Sequence, residues 1–357
     1  MANILHCNNK VDAIHTMKRV VCGSSLSNQD ALLYDRQIRL WGIEAQQRMM
    51  SAQVLFLGKN GIQEEAMKNL VLSGVGVTLA NDLYVNEEDV KYSFLLRKSD
   101  IGTNHAKSLV YRLREMTAEK RRINFITDSV VKDEYLNGVH SYKIDESIIE
   151  EFEIVSFAAE SYTLPKMTHV NDVCRQKGVA VIASMDNGMH GFLLQDLNTH
   201  TVYPLLLLHH LSVLQPRFPR NCDISIRNVI GYLLMQRLFP HRQDISLESP
   251  SFMIQLRDIC DSVGGREADI MWVCSHSIHV SDPCFFRVCY ILWTITVVYS
   301  IRSSLYEMRG KRLAITSGIL GGYLALEIRK FITKQHETIP SLCVFDMARS
   351  IVTTAML

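Results

Sequence analysis

A short buried strand, a glycine turn, a helix and a second strand follow one another between residues 54 and 82. Residues 54–57 are wholly apolar, as in a strand covered on both faces. Apolar residues then recur at helical spacing over residues 62–73, and Gly74 ends the pattern. A second apolar run covers residues 75–80. This order and length match one βαβ unit, so the chain is expected to build a parallel sheet.

Alternating helix and strand patterns continue along the rest of the chain. Residues 31–50 predict an amphipathic helix that is broken at Gly42. Further helices are predicted at 104–116, 164–177, 226–239, 251–263 and 318–333. Further strands are predicted at 123–127, 152–159 and 178–183, with a hairpin at 343–346 and 350–353. The pattern predicts an α/β, Rossmann-like fold with a mostly parallel sheet and helices on both faces.

Composition limits the class of protein. The 357 residues are 47% hydrophobic and 21% charged, enough for one large α/β domain or two smaller ones. Lys plus Arg number 38 and Asp plus Glu 37, so no overall field favours nucleic acid or an acidic membrane. Nine cysteines occur without a Cys-x-x-Cys pair. A disulfide framework and a zinc site of paired cysteines are therefore not expected, and reduced thiols of the cytosol or nucleus are.

Two segments stand apart from the α/β pattern. Residues 1–28 show no clear periodicity and are interpreted as a flexible N-terminal extension without a signal peptide's apolar core. Residues 284–301 are apolar apart from Arg287 and a few small polar residues. A membrane helix needs about 20 apolar residues in a row, and an arginine within it is costly. The segment is interpreted as a buried or partner-facing element.

The glycine turn after the first strand is a weak nucleotide signal by itself. The dinucleotide fingerprint has three glycines, G-x-G-x-x-G, whereas this turn has Gly58 and Gly61 and then the acidic residues Glu64 and Glu65. These acids suit a helix N-terminus but would repel a triphosphate. Asp82, at the end of the second strand, is placed either to accept ribose hydroxyls or to end the strand. Together these residues predict a degenerate nucleotide site that is weak or inactive.

The run YDRQIRLWG at residues 34–42, followed by the glycine turn, is similar to the opening of the ThiF and ubiquitin-activating enzyme family. Within it, the chain resembles, as a divergent member, the smaller non-catalytic subunits of SUMO-activating enzymes. The same resemblance extends to residues 68–75, 94–96, 100–102, 186–191, 318–328 and 345–346. It implies a ThiF-type adenylation domain over residues 29–357, with an apolar insertion at about 265–303.

The groups that bind ATP in catalytic members of this family have no counterpart here. Those members use an arginine after the second strand and a lysine in the next helix, whose charges neutralise the phosphates. Residues 89–94 read DVKYSF, without that arginine, and His105 stands in the lysine's place. A mostly neutral imidazole is a poor replacement near pH 7. The family's thioester-cysteine domain and zinc-binding cysteine pairs also find no match. The resemblance implies the pseudo-inactive half of a heterodimer.

Arg36 is the one catalytic residue of the family that the resemblance implies for this chain. It would reach, in trans, the ATP of a larger catalytic subunit, as an arginine finger does. A guanidinium suits this role because it stays charged and meets phosphate oxygens in a fork. From the residues alone, the alternative is that Arg36 is a surface arginine paired with Asp35 or with a helix end, and Arg39 is a further candidate for a local pair. The larger subunit would bind ATP with magnesium and the modifier SUMO, in nucleus and cytoplasm, without nucleic acid or membrane.

Four other interpretations remain open at the sequence level. The chain resembles, less closely, the regulatory subunit of the NEDD8-activating enzyme, which is usually longer. It is also compatible with a stand-alone Rossmann enzyme that uses NAD, although the acids after Gly61 speak against this. A homodimeric adenylating enzyme of the bacterial sulfur-carrier kind would need the missing arginine and lysine. The fourth interpretation is a pure scaffold, in which Arg36 has no chemical role.

Overall fold

The computed structural model describes residues 26–117, 122–136, 139–162, 164–198, 313–334, 337–347 and 350–355. Its α-helices are α1 Asn28–Leu33, α2 Asp35–Trp41, α3 Ile43–Ser51, α4 Gly61–Leu72, α5 Glu87–Tyr92, α6 His105–Glu115, α7 Glu146–Ile149, α8 Leu164–Gln176 and α9 Ala314–Thr333. Its strands are β1 Gln53–Leu57, β2 Gly76–Ala80, β3 Ile123–Ile126, β4 Val131–Leu136, β5 Val139–Ile144, β6 Ile154–Ala158, β7 Ala180–Asn187, β8 His190–Asp196, β9 Leu342–Asp346 and β10 Ile351–Ala355. Residues 1–25 of the expected extension, the expected helices at 226–239 and 251–263 and the apolar insertion lie outside the described residues.

Eight strands form one sheet, in the order β10-β9-β8-β7-β6-β1-β2-β3. The five strands from β7 to β3 are parallel neighbours. The three strands β8, β9 and β10 extend the sheet in antiparallel fashion. The mostly parallel α/β sheet predicted from the sequence is therefore confirmed. β4 and β5 form a separate antiparallel hairpin.

Hydrophobic cores cover both faces of the sheet. Along β1, Val54 and Phe56 belong to the core beneath α4, α6 and α9, whereas Leu55 and Leu57 belong to the core beneath α8. All four are fully buried. This alternation is the period of two that a strand imposes on its side chains. It explains why the strand reads as an unbroken apolar run, since neither face meets solvent.

The helices α4 and α9 cross closely above the first core. A side chain at Gly321 of α9 would overlap Glu65 and approach the backbone carbonyl of Ile62 to 2.9 Å. At the start of α4, a Cβ on Gly61 would lie 2.6 Å from the Ser317 hydroxyl of α9. These contacts bring the first turns of both helices together beside the end of β1. The glycines that the sequence places here therefore serve helix packing.

The N-terminal helices lie at the other end of α4. Gly42, with φ of +84°, separates α2 from α3, as the sequence predicted, and Tyr34 forms a second break between α1 and α2. The Gln37 side chain of α2 donates to the carbonyl of Leu72, the last residue of α4, at 3.2 Å. The α2 helix therefore lies near the C-terminal end of α4, away from the glycine turn.

Candidate functional site

The C-terminal ends of the parallel strands β1, β2, β6 and β7 meet at one edge of the sheet. In open α/β sheets, ligands bind in the crevice outside this edge. The segments that follow these strands carry the residues of the candidate site. They are residues 58–61, 81–82, 159–161 and 186–188.

The turn after β1 is held closely against the segment after β6. Gly58 has φ of +84°, which is the left-handed region that favours glycine. A Cβ there would lie 2.9 Å from the Cβ of Ser161. The backbone N–H of Lys59 donates to the Ser161 hydroxyl at 3.3 Å. The turn therefore packs against protein at the position where a nucleotide-binding glycine loop leaves room for phosphate.

The N-terminus of α4 is occupied by groups of the chain itself. Asn60 caps the helix, because its side-chain oxygen accepts from the Gln63 N–H at 2.8 Å. Its amide nitrogen lies 3.0 Å from a carboxylate oxygen of Glu160 and 3.0 Å from the Ser184 carbonyl. A helix N-terminus attracts anions, and the carboxyl group that lies beside the cap of α4 is that of Glu160.

The lysine of the turn is committed to an ion pair. Lys59 Nζ lies 2.7 Å from Asp89 Oδ2, and the two side chains are 12% and 3% exposed. Asp89 also accepts from the Asn86 N–H, in the capping box that begins α5. Burial by itself raises the pKa of Asp89, but the hydrogen bonds from Lys59 and Asn86 and the charge of Lys59 outweigh it and lower that pKa. Lys59 is therefore turned toward α5.

A second buried acid, Glu64 of α4, is bound from two sides. The Ser93 hydroxyl donates to Glu64, and His105 Nε2 lies 3.4 Å from its other oxygen. On the far side of the imidazole, His105 Nδ1 lies 3.2 Å from the side-chain nitrogen of Asn81, which also donates to the Gly58 carbonyl. The buried imidazole of His105 therefore links α4 to the segment after β2 through Glu64 and Asn81.

A pair of carboxyl groups lies where β6 and β7 end. Glu160 accepts from the backbone N–H of Asp186 at 2.8 Å and from Asn60, while Asp186 accepts from the Ser317 hydroxyl at 2.6 Å. Glu160 is exposed as a residue, and its carboxylate accepts hydrogen bonds on both oxygens. Desolvation of the carboxyl group and the charge of Asp186 raise the pKa of Glu160, while these hydrogen bonds act against the rise.

Asp82 lies in the exposed segment after β2. Its charge reaches the phenol of Tyr162, whose pKa is raised by burial and then by Asp82. Gly58, Gly61 and Asp82 thus lie along one edge of the sheet, as predicted for the degenerate nucleotide site. Their role as nucleotide ligands stays a prediction.

Arg36 lies apart from this edge. Its neighbour Asp35 pairs with Arg39 at 3.0 Å, four residues later on α2. Arg36 is exposed, and within the described residues it has neither an ion pair nor a hydrogen bond. The helix α4 separates α2 from the chain's own glycine turn by roughly 16 Å, at 1.5 Å per residue. The structure therefore does not bring Arg36 to the nucleotide edge of its own chain.

Large apolar side chains surround Arg36 along the N-terminal helices. They are Leu32, Leu33, Leu40 and Ile43, which are 79%, 60%, 70% and 53% exposed. Exposed apolar groups in this number on neighbouring helical turns are typical of a surface that another protein covers.

Sequence reasoning missed most of the contacts that close the site. Asn60 precedes a predicted helix and carried the signal of an N-cap. Glu160 and Asp89 gave no local signal, because their partners lie 100 and 30 residues away. Only the folded sheet brings these residues together.

Two kinds of feature are absent from the described part of the chain. No helix there is long and apolar enough to span a membrane. Across the same residues, no group of three or more His, Cys, Asp or Glu side chains is arranged to hold a metal ion.

Comparisons with known proteins place this geometry in a family. The chain is similar to SUMO-activating enzyme subunit 1 of Bos taurus, with 32% identity over 179 residues, 50% of this chain and 48% of that protein. The Homo sapiens protein of the same name is 31% identical over 179 residues, 50% of this chain and 48% of that protein. For Dictyostelium discoideum the values are 29% over 177 residues, and 49% of each chain. The chain thus spans about half the length of the curated relatives it matches.

A solved structure and a family model agree on the fold. The crystal structure of PaaA, in selenomethionine form, superposes with a TM-score of 0.50 at 11% identity, over 95% of this chain and 76% of that one. At this identity the likeness concerns the fold alone. The model of the ThiF family matches residues 34–356, which include the sheet, the glycine turn and Arg36. The chain belongs to the ThiF family.

Proposed function

We propose that this chain is the smaller subunit of a heterodimeric SUMO-activating enzyme. Its own nucleotide cleft would be closed, and it would supply Arg36 to ATP held by a larger catalytic subunit. The observation that carries the proposal is Arg36 itself, exposed and without a partner among the described residues, on a helix remote from its own cleft. The three relatives described above, each named SUMO-activating enzyme subunit 1, support the choice of modifier and of subunit.

The closed cleft supports a non-catalytic role. Phosphate binding at a glycine turn needs free backbone N–H groups and a cation. Here Asn60 caps the helix, Lys59 pairs with Asp89, and the Glu64 carboxylate lies in the adjoining network. Bringing a triphosphate into this cleft would break a buried ion pair and place like charges together. ATP with magnesium therefore belongs on the larger subunit in this proposal.

Arg36 would act by charge and shape. The guanidinium is always protonated and offers a planar fork of N–H groups to phosphate oxygens. Placed against the ATP of the partner subunit, it would stabilise negative charge that grows on the phosphates during adenylation. Its own chain holds no anion for it among the described residues, since Asp35 binds Arg39. The complex would work in the nucleus and cytoplasm, as expected for the family.

The first test is the stoichiometry of ATP. The chain alone is expected to show no saturable binding of a fluorescent ATP analogue, because Lys59 is paired with Asp89 and the Glu64 carboxylate lies beside the turn. The heterodimer with the larger subunit is expected to bind one analogue per pair, measured by equilibrium dialysis. Two bound analogues per pair, or tight binding to the isolated chain, would contradict the closed cleft.

The apolar face around Arg36 gives a second test. Leu40→Asp is expected to weaken association with the larger subunit by roughly 10- to 100-fold, because a charge would be buried in the interface. Size-exclusion chromatography and titration calorimetry on the two purified subunits would measure the change. Ile315→Asp is the control, since Ile315 is also exposed, at 58%, but lies at the start of α9. Equal affinity of the Leu40→Asp variant and the wild type would place the interface elsewhere.

A further inference from the structure

We propose that the ammonium group of Lys166 holds the β4–β5 hairpin against α8, and that N-acetylation of this lysine by an acyl thioester releases the hairpin while the main sheet stays folded. The inference goes beyond the proposed function, because it concerns a modification site on a hairpin that is separate from the main sheet. It does not depend on the identity of the partner or the modifier.

One side chain of α8 contacts three separate segments of the chain. Lys166, in the first turn of α8, has its Nζ 3.1 Å from Asp133 Oδ2 of β4. The same nitrogen lies 5.9 Å from the ring centroid of Tyr142 in β5 and 5.5 Å from that of Tyr162, which precedes α8. The Lys166 side chain is 15% exposed. A carboxylate and two phenol rings therefore lie around an ammonium group that is largely withdrawn from water.

The register of the hairpin explains why both of its strands meet Lys166. Asp133 and Tyr142 lie directly opposite each other across the two strands. Val131 and Ile144 form the next pair on the same face, because side chains alternate along a strand. This pair packs in the second core, together with the ring of Tyr142. Apolar burial thus fixes the base of the hairpin, and the Asp133–Tyr142 pair adds contacts that depend on the charge of Lys166.

The order of the hairpin depends on this one face. β4 and β5 form a two-stranded sheet that is not hydrogen-bonded to the described strands of the main sheet, and such a hairpin is marginally stable by itself. Its opposite face carries Lys143 and Glu134, an exposed pair that contributes little. Tyr142 also meets His169 of α8, with ring centroids 5.9 Å apart. The hairpin is therefore held by the second core and by α8, where Lys166 supplies the charge.

The contacts of Lys166 need a positive charge. A cation near an aromatic ring is attracted by the ring's quadrupole, more strongly where water is excluded. Acetylation removes the charge, and with it both the ring attraction and the ion pair. In this reaction the amine loses a proton and attacks the acyl carbon of a thioester, an amide bond forms, the carbon–sulfur bond breaks and a thiol leaves. Because the closed hairpin covers the amine, acetylation would act on the open hairpin and keep it open.

Hydrogen exchange of the full chain tests the role of the charge. Acetyllysine incorporated in place of Lys166 is expected to speed exchange at residues 131–136 and 139–144 roughly 10-fold, because the lost contacts favour the open hairpin. Exchange in β1 and β6 should stay near the wild-type rate. Acetyllysine in place of Lys143, on the opposite face, is the matched control and should change neither. Unchanged hairpin exchange with acetyllysine in place of Lys166, or an equal acceleration in β1, would overturn the proposal.

Substitutions of Lys166 give a second measurement that needs no acetyllysine. Lys166→Arg keeps a charge that also stacks on aromatic rings, so the slow exchange of the hairpin should be retained. Lys166→Gln removes the charge and should exchange as fast as the acetylated chain. Equal hairpin exchange in these two variants would show that the charge does not hold the hairpin.

The reactivity of the amine gives an independent check. When the wild-type chain is treated with an N-hydroxysuccinimide ester of acetate and digested for mass spectrometry, Lys166 should react more slowly than Lys143, whose side chain is 70% exposed. Asp133→Asn weakens one of the contacts and should bring the two rates closer. If Lys166 reacts as fast as Lys143 in the wild type, its amine is open to solvent and the proposal fails.

Discussion

Replacing Arg36 by alanine is expected to slow SUMO-dependent ATP–pyrophosphate exchange by the heterodimer roughly 100-fold, the size of effect seen when one preorganised charge-stabilising donor is removed. The reason is that Arg36 has no anion of its own among the described residues and would meet the phosphates of the partner's ATP. The exchange rate of the purified heterodimer, at saturating ATP and SUMO, measures the effect.

Arg39 offers a matched control on the same helix. It is also an exposed arginine, but it pairs with Asp35 at 3.0 Å. Arg39→Ala should therefore leave exchange near the wild-type rate, because exposed pairs of this kind contribute little. Both variants should elute with the larger subunit as a heterodimer. Normal exchange by an intact Arg36→Ala heterodimer would remove the chemical role of Arg36 and leave this chain a scaffold.

Replacing Arg36 by lysine tests whether its positive charge or the planar geometry of its guanidinium is needed. Lysine keeps the positive charge but not the planar fork that binds two phosphate oxygens at once. Arg36→Lys is expected to recover part of the lost exchange rate, between the alanine variant and the wild type. Full recovery would show that charge alone is enough. A rate equal to that of alanine would show that the bidentate geometry carries the effect.

Much of the fold could be predicted because its strands are buried on both faces. Residues 54–57 are a continuous apolar run and residues 154–158 are apolar except for Ser156, and β1 and β6 lie there. The β4–β5 hairpin was missed, since its strands carry charged residues such as Lys132, Asp133 and Lys143 and lie outside the main sheet. The sequence also placed the start of α9 at Gly318, four residues late. The first turn of α9 lacks a capping side chain. It is fixed instead by Thr316, which donates to the Gly188 carbonyl after β7, and by Ser317, which donates to Asp186 of β7.

The candidate site could be located from the sequence, but its closure could not. The glycine turn and Asp82 indicated the right edge of the sheet, because strand ends are local features. The partners of Asn60, Lys59 and Glu64 come from distant segments, so no local pattern reveals them. The sequence left open whether Arg36 or Arg39 pairs with Asp35. The structure decides this in favour of Arg39 because residues four apart face each other on a helix.

The buried ion pair of Lys59 and Asp89 gives the second prediction with a large effect, which concerns stability. Asp89→Asn is expected to lower the free energy of unfolding by about 3 kcal/mol, since it leaves the Lys59 charge buried without its partner. The asparagine keeps an oxygen for the Asn86 N–H, so the start of α5 is preserved. Urea unfolding at pH 7, followed by circular dichroism, measures the change. Asp35→Asn, which breaks an exposed pair, should cost less than about 1 kcal/mol.

A second change should reverse this loss. Lys59→Met in the Asp89→Asn background removes the unpaired charge and fills a similar volume, so it is expected to restore at least half of the lost stability. The pH dependence gives an independent check. Because the pKa of Asp89 lies below its ordinary 3.8, the wild-type pair should keep its contribution above that pH and lose it only as the pH falls further. If Asp89→Asn is as stable as the wild type, Lys59 must reach solvent or another anion, and the cleft is more open than these contacts indicate.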